Sequence, residues 1–140
     1  MNIFFDTDYT ILGVDESLRP HLGELFQYLT HRGHSIYIWS GNGIRTKDIE
    51  KHRLSNFVKG YFEKPVHNYW ANTSSLPTED HPNMVIDDNL EIVATLGGIW
   101  VTQYYFPNKA DIEMKAVKEI ITDIELSGTS EDPRFRQLKF

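Results

Sequence analysis

MNIFFDTDYT, residues 1–10, is a short apolar run that ends in two aspartates, Asp6 and Asp8. The apolar residues predict a buried β-strand, and residues two apart in a strand point to the same side. Two carboxylates held side by side repel each other, and burial strengthens the repulsion. Either the pair faces solvent in a turn, or a positive group lies between the two aspartates.

The rest of the chain alternates between strand patterns and helix patterns. Strands are predicted at residues 1–5, 34–40, 57–62, 84–86 and 98–105. Helices are predicted at residues 18–32, 46–52, 89–96 and 110–126, with Asp15 or Ser17 as the N-cap of the first. This alternation predicts an α/β fold of three layers, with a Rossmann-like, mostly parallel five-stranded sheet between helices. We expect one domain over residues 1–126 and an extended C-terminal tail over residues 127–140.

The amino-acid composition excludes several classes of function. The chain has 140 residues, of which 40% are hydrophobic and 24% are charged, as in globular domains with their own core. Cysteine is absent, which excludes disulfides and thiolate metal sites within these residues. The formal net charge of −6 argues against a general nucleic-acid-coating role. We see no signal peptide and no membrane-spanning run, so a cytoplasmic protein without a membrane partner is expected.

Polar or charged residues follow each of the first four predicted strands. In chain order they are Asp6, Asp8 and Thr10; Ser40 and Gly41; Lys64; and Asp87 and Asp88. Parallel strands bring such residues to one edge of the sheet, where ligands bind in α/β proteins. A hard cation such as Mg²⁺ would relieve the repulsion between the carboxylates and hold a phosphate oxygen. The set therefore indicates phosphoryl transfer, with one carboxylate as nucleophile and another as acid and base.

Four segments resemble, in the same order, the motifs of the haloacid dehalogenase-like (HAD) hydrolases. They are DTDYT, the serine of IWSGNG, the lysine of EKP and the acidic pair of VIDDN. The resemblance covers residues 1–105, and the remaining helix is similar to the family's closing helix. It implies an HAD-like fold and a Mg²⁺-dependent phosphatase, because the dehalogenase branch lacks the acid found here at Asp8.

The resemblance also implies roles for the strand-end residues. Asp6 would be the nucleophile and a Mg²⁺ ligand, and Asp8 the general acid and base with its backbone carbonyl on the metal. Asp87 and Asp88 would complete the metal site, with Asp88 as the direct ligand. Ser40 and Gly41 would bind phosphate. Thr10 would bind phosphate and support the loop, and Lys64 would act in catalysis by pairing with both the phosphate and Asp6. Lys59 competes with Lys64 as the lysine of the third motif.

Two departures from the family pattern bear on the substrate. Tyr9 stands where many members have glycine, which predicts a stiffer turn or a bulkier mouth. The segments that carry cap domains in larger members are short here, so we expect a capless protein with an open site. Such a site suits a bulky or macromolecular phosphorylated substrate, or a lid supplied by a second copy in a homo-oligomer. Tyr69 and Trp70, in the irregular stretch over residues 65–82, either stack on such a substrate or pack onto the sheet.

Two other functions are compatible with the same residues. The first is a non-catalytic module that keeps the metal-binding edge for a phosphorylated ligand or a protein partner; the intact acid at Asp8 argues against it. The second is a receiver-like phosphoacceptor domain, which also groups acids, a hydroxyl and a lysine around Mg²⁺. In receiver-like domains the acidic pair, the phosphoacceptor and the lysine lie on different strands and follow another order along the chain. The DTDYT segment at the first strand therefore favours a hydrolase.

Overall fold

A central sheet organises residues 1–139, the part of the chain that the computed structural model describes. Its strands are β1 (Asn2–Asp6), β2 (Ser35–Ser40), β3 (Val58–Glu63), β4 (Met84–Asp87), β5 (Gly98–Trp100) and β6 (Phe135–Arg136). The strand order is β3-β2-β1-β4-β5-β6. The pairings among β1 to β5 are all parallel, whereas β6 is antiparallel to β5. The predicted α/β class and mostly parallel sheet are therefore confirmed.

Helices cover both faces of this sheet. They are α1 (Leu22–His31), α2 (Thr46–Lys51), α3 (Tyr69–Thr73), α4 (Leu90–Leu96) and α5 (Glu113–Ser127). Ile3 and Phe5 of β1 are buried in one cluster with apolar residues of α1 and α5. Phe4, which points the other way, joins a second cluster with Val93 and other residues of α4. Burial on both faces explains why β1 is apolar at consecutive positions rather than at alternate ones.

The sheet has six strands, so the expected number of five is wrong. The additional strand, β6, belongs to the segment predicted as an extended tail, and its Phe135 lies opposite Ile99 of β5. An ion pair between Arg134 and Glu113 of α5, at 2.9 Å, holds this segment against the domain. Phe140, the last residue of the predicted tail, lies outside the described residues.

Two predicted boundaries differ from the structure by four residues or more. The strand predicted over residues 98–105 ends at Trp100, after which the chain turns away and the Tyr104 amide donates to the Tyr9 carbonyl at 2.9 Å. Helix α1 begins at Leu22, not near residue 18, and its N-cap is His21 rather than Asp15 or Ser17. The second difference arises in the loop after β1, residues 7–21, which folds back on itself through bridges that pair Leu12 with Asp8 and with Leu18.

Buried Arg19 fixes the shape of the loop after β1. Its side chain is fully buried and donates to the Thr10 carbonyl at 3.1 Å and to both carboxylate oxygens of Asp111 at 2.9 Å. A planar guanidinium that satisfies a carboxylate with two parallel hydrogen bonds is a rigid support. The loop that carries Asp8 and Thr10 is thus fastened to the segment before α5.

The helices of this fold are short. The longest, α5, runs from Glu113 to Ser127. Within residues 1–139, no helix combines the length and the apolar character needed to cross a membrane.

Candidate functional site

The sequence-predicted acids meet where the strand order of the sheet reverses. Asp6 is the last residue of β1 and Asp87 the last of β4, and these two strands are neighbours. Strands β2 and β3 are added in turn on one side of β1, and the chain then crosses back so that β4 pairs with β1 on its opposite side. In open α/β sheets this reversal leaves a crevice beyond the carboxyl ends of the strands. Asp6 and Asp87 therefore lie at the position where this fold class binds ligands.

Lys64 lies between the two buried aspartates. Its ammonium nitrogen is 2.9 Å from Asp6 Oδ1 and 3.1 Å from Asp87 Oδ2. Its backbone N–H donates to the Ser40 carbonyl at 2.9 Å, so the residue directly after β3 is tied to the end of β2. Lys59 instead places its ammonium 5.8 Å from the centre of the Tyr37 ring. Of the two competing lysines, Lys64 is thus the one brought to the acids.

Three aspartates are close enough to share a metal ion. One carboxylate oxygen from each of Asp6, Asp87 and Asp88 lies within 4.8 Å of the others. Ligands bonded at about 2.0–2.6 Å to one hard cation are separated by at most about 4–5 Å, so this spacing fits. Hard carboxylate oxygens suit Mg²⁺, Mn²⁺ and Ca²⁺, and they do not select one of these ions by chemistry alone.

Thr10 links the loop after β1 to the loop after β4. Its hydroxyl lies 3.0 Å from Asp6 Oδ2 and 3.2 Å from Asp88 Oδ1, and it accepts a hydrogen bond from the Asp88 amide at 3.1 Å. The residue is fully buried. These contacts fit the loop-supporting role predicted for Thr10, since its hydroxyl is already engaged by the two acids.

Burial disturbs the charge state of the acid cluster. The pKa of Asp6 is raised well above its ordinary value, first by burial and then by the neighbouring Asp87 carboxylate, against the opposing effect of Lys64. Burial also raises the pKa of Asp87, to about 6. Burial would lower the pKa of Lys64, but the two carboxylates outweigh it and raise that pKa. One ammonium is thus too little positive charge for this cluster, and a further cation would stabilise the ionised acids.

Asp8 is engaged by two residues that the sequence patterns did not indicate. Its Oδ2 accepts hydrogen bonds from Arg45 Nη1 and from Asn42 Nδ2, both at 2.7 Å. Burial pushes the pKa of Asp8 upward, but the hydrogen bonds from Arg45 and Asn42 outweigh burial, so the pKa is lowered. Asn42 and Arg45 lie in the loop between Ser40 and α2, which has no periodic pattern. The only sequence signal for them is that Asn42 directly follows the predicted site residue Gly41 and Arg45 lies four residues after it.

A pocket of about 310 Å³ opens above the acids. Ser40 and Gly41 line it together with Asp6, Asp8 and Lys64, as the strand-end argument predicts. The Ser40 side chain is almost fully buried and accepts the Asn42 amide at 3.0 Å. The aromatic and aliphatic part of the wall comes from Tyr9, Val66 and Tyr69.

Tyr9 stands at the mouth of this pocket in a left-handed backbone conformation. Its φ is +65°, the region that residues with a Cβ seldom adopt. The turn is held by the Tyr9 amide, which donates to the Leu12 carbonyl at 2.8 Å. The ring centre lies 5.2 Å from that of Tyr105, and the side chain is 38% exposed. Tyr9 therefore places an aromatic surface beside the catalytic candidates Asp6 and Asp8.

Comparison with known proteins assigns no relatives to this chain. No protein-family model matches it, and none of the curated proteins compared with it shows significant similarity. The likeness of its four segments to HAD motifs therefore remains a resemblance, and the function has to be argued from the side chains themselves.

Proposed function

We propose that this protein is a divalent-cation-dependent phosphomonoester hydrolase of the HAD type that acts through an aspartyl-phosphate at Asp6. The observation that carries the proposal is the junction of Asp6, Asp87 and Asp88 with Lys64 at the strand-order reversal. Ser40 and Gly41 line the same pocket, where a hydroxyl and a backbone N–H can donate to phosphate oxygens. Acids that can hold a hard cation, next to cationic and neutral donors, suit an anionic phosphoryl group.

Asp6, Asp87 and Asp88 would hold the metal ion, and the resemblance to HAD hydrolases adds the Asp8 backbone carbonyl as a further oxygen ligand. Mg²⁺ bound there would neutralise the acids and polarise a phosphoryl oxygen. Lys64 contacts Asp6 Oδ1, and its positive charge opposes the rise in the pKa of Asp6 that burial and Asp87 cause. With both Lys64 and a bound cation beside it, Asp6 would be ionised and able to attack as a nucleophile.

The reaction has two displacements at phosphorus. First, an Asp6 oxygen forms a bond to phosphorus while the ester P–O bond breaks, and the leaving oxygen takes a proton from Asp8. Next, a water molecule attacks the aspartyl-phosphate while Asp8 removes its proton. Phosphate departs, Asp6 is restored as a carboxylate, and Asp8 is protonated again for another cycle.

A non-catalytic module that binds a phosphorylated ligand is the second candidate, and the state of Asp8 favours it. The carboxylate that must donate the first proton is held ionised by Arg45 and Asn42 in the substrate-free protein. Hydrolysis therefore requires that substrate binding loosen this pairing. A binding module would have no such requirement.

Turnover of a panel of phosphomonoesters, with and without Mg²⁺, tests the proposal. We expect hydrolysis of at least one ester that depends on the cation. Asp6→Asn should lower kcat by about a thousandfold or more while the circular dichroism spectrum stays that of the parent. If Asp6→Asn hydrolyses the same ester at the parent rate, the mechanism is wrong.

The same panel separates the alternatives. A module without activity would hydrolyse none of the esters, yet Mg²⁺ would still raise its melting temperature. A receiver-like domain would hold the aspartyl-phosphate for minutes, which acid-quenched labelling with a small phosphodonor would detect.

The open pocket bears on the substrate. Between Lys64 and β4 the described chain forms only α3 and a short turn at Thr78–Asp80, so no large insertion covers the acids there. We therefore propose a bulky or macromolecular phosphorylated substrate, or a homo-oligomer in which a second copy supplies the lid. Comparing kcat/KM for esters of increasing size, together with the mass in solution, distinguishes these two arrangements.

A further inference from the structure

The Arg45 guanidinium lies among three polar side chains, of which Asp8 and Ser40 line the pocket and Asp48 does not. Its Nε donates to Asp48 Oδ2 at 2.6 Å, and its Nη1 donates to Asp8 Oδ2 at 2.7 Å. The same Nη1 is 3.5 Å from Ser40 Oγ, the hydroxyl assigned to phosphate. A phosphate oxygen that accepts a hydrogen bond from Ser40 Oγ would therefore be bound beside the Arg45 guanidinium.

These contacts leave one end of the guanidinium fixed and the other able to move. Asp48 lies on α2, three residues after Arg45, and holds the Nε end. The Nη1 end contacts Asp8, whose carboxylate keeps a second hydrogen bond from Asn42 if Arg45 departs. A small rotation about the fixed end would therefore carry Nη1 from Asp8 toward Ser40 without leaving Asp8 unpartnered.

We propose that Arg45 is a second phosphate-binding cation, which moves its Nη1 from Asp8 to an oxygen of the phosphate held at Ser40. The location of that phosphate rests on the proposed function. A planar guanidinium suits a tetrahedral oxyanion, because its parallel N–H groups can meet two oxygens at once, whereas Lys64 acts as a point charge. Asp48 is then a positioning residue that keeps the guanidinium beside Asp8 and Ser40.

An alternative role for Arg45 is to neutralise Asp8 and nothing more. The two roles differ in what happens once Asp8 has lost its charge. If Arg45 binds phosphate, it still raises the affinity for phosphate in an Asp8→Asn background. The gain in affinity is then larger, because Arg45 is no longer held by Asp8. An arginine that only neutralises Asp8 has no remaining effect on phosphate there.

The test is the dissociation constant of inorganic phosphate, measured by isothermal titration calorimetry in Mg²⁺. The variants are the parent, Arg45→Gln, Asp8→Asn and the double variant. We expect Arg45→Gln to weaken phosphate binding by about 10- to 100-fold, the usual effect of a charge-assisted hydrogen bond. In the Asp8→Asn background the loss should be as large or larger. An unchanged dissociation constant in that background overturns the proposal, as does a parent protein that binds no phosphate.

Three further variants test whether a change in the dissociation constant is due to the Arg45 side chain itself. Lys47→Gln removes the same charge from an exposed residue of α2 and should leave the dissociation constant within about twofold. Asp48→Asn should weaken binding less than Arg45→Gln does, because the guanidinium is kept but is less well held. Arg45→Lys should recover part of the affinity, which a misfolded loop would not. Because binding is read without turnover, a protein that hydrolyses no ester can still confirm this role for Arg45.

Discussion

Tyr9 is the residue at which the backbone of the site departs furthest from ordinary geometry. A residue with a Cβ in the left-handed region costs about 1–2 kcal/mol relative to glycine-like freedom. Here the cost is offset by two backbone hydrogen bonds, one to Leu12 and one from Tyr104, and by contact with the Tyr105 ring. The turn at Tyr9 separates Asp8 from Thr10 and so decides where both side chains point.

Replacing Tyr9 tests how much the left-handed backbone conformation at this position lowers the free energy of unfolding. Tyr9→Asn and Tyr9→Val both remove the ring contact, but asparagine tolerates φ near +65° and a β-branched residue does not. We expect the valine variant to have a free energy of unfolding lower than that of the asparagine variant by about 1 kcal/mol or more. Urea denaturation measures the difference, and equal stabilities would show that the turn is unstrained.

The sequence indicated the acids of the site and Lys64, but not Arg45 and Asn42, which bind Asp8. Asp6, Ser40 and Asp87 could be predicted because each ends or follows an apolar run, and Lys64 because it follows the short third strand. Parallel strands bring such ends together. Arg45 could not, because an arginine in an aperiodic loop gives no sign of where its side chain will turn. Its contact with Asp8 depends on the fold of two loops that are 37 residues apart in the chain.

At the scale of elements, Gly98 allows β5 to approach β4. Its φ is +148°, and a Cβ at this position would lie 1.9 Å from the Val85 carbonyl oxygen, far inside contact distance. The clash would be with backbone of the neighbouring strand, which cannot rotate away as a side chain can. The pairing of β5 with β4, and with it the packing of Asp87 against the sheet, depends on glycine here.

Gly98→Ala should therefore lower the free energy of unfolding by several kcal/mol, roughly 3 or more, or prevent folding. Gly33→Ala is the matched control, because φ there is +82° but a Cβ would meet nothing within 4 Å. Only the conformational cost of about 1 kcal/mol remains at that position. Guanidinium denaturation of the two variants gives the comparison, and similar losses would contradict the steric argument.

Elements with apolar periodicity were predictable, and those held by polar contacts were not. Helix α5 and strands β1, β2 and β4 follow directly from their apolar residues. Strand β6 has two residues, which pair through their backbone while Arg134 binds Glu113, so no hydrophobic pattern marks it. Strand β5 was predicted too long because residues 101–105 have strand propensity, yet the chain there turns to support Tyr9.

At the scale of the whole molecule, the acid cluster couples stability to protons and metal. In the metal-free protein Asp87 has a pKa of about 6, against an ordinary value of 3.8, and the pKa of Asp6 is also raised. The folded protein therefore binds more protons than the unfolded chain between about pH 4 and pH 6. The contribution of Asp6 and Asp87 to the free energy of unfolding is fully present below about pH 4. It is lost as the pH rises from about 4 through about 6.

Melting temperatures with EDTA and with Mg²⁺ test this coupling. We expect Mg²⁺ to raise the melting temperature more at about pH 7.5 than at about pH 5, because protons compete with the metal for the same oxygens. Asp87→Asn removes a titrating group, so in EDTA it should be more stable than the parent at the higher pH. It should also respond less to Mg²⁺. Stabilisation by Mg²⁺ that is equal at both pH values would contradict the assignment of the metal to these acids.

The two ends of the strand order, β3 and β6, decide whether the sheet can extend into a second molecule. An open strand edge offers unpaired N–H and C=O groups, and natural proteins block such edges with charges or with very short strands. Both devices occur here: β6 has only two residues, and the exposed residues of β3 are Lys59 and Glu63. A neighbour approaching through strand addition would have to bury those charges, so the sheet is protected against edge-to-edge aggregation at both sides.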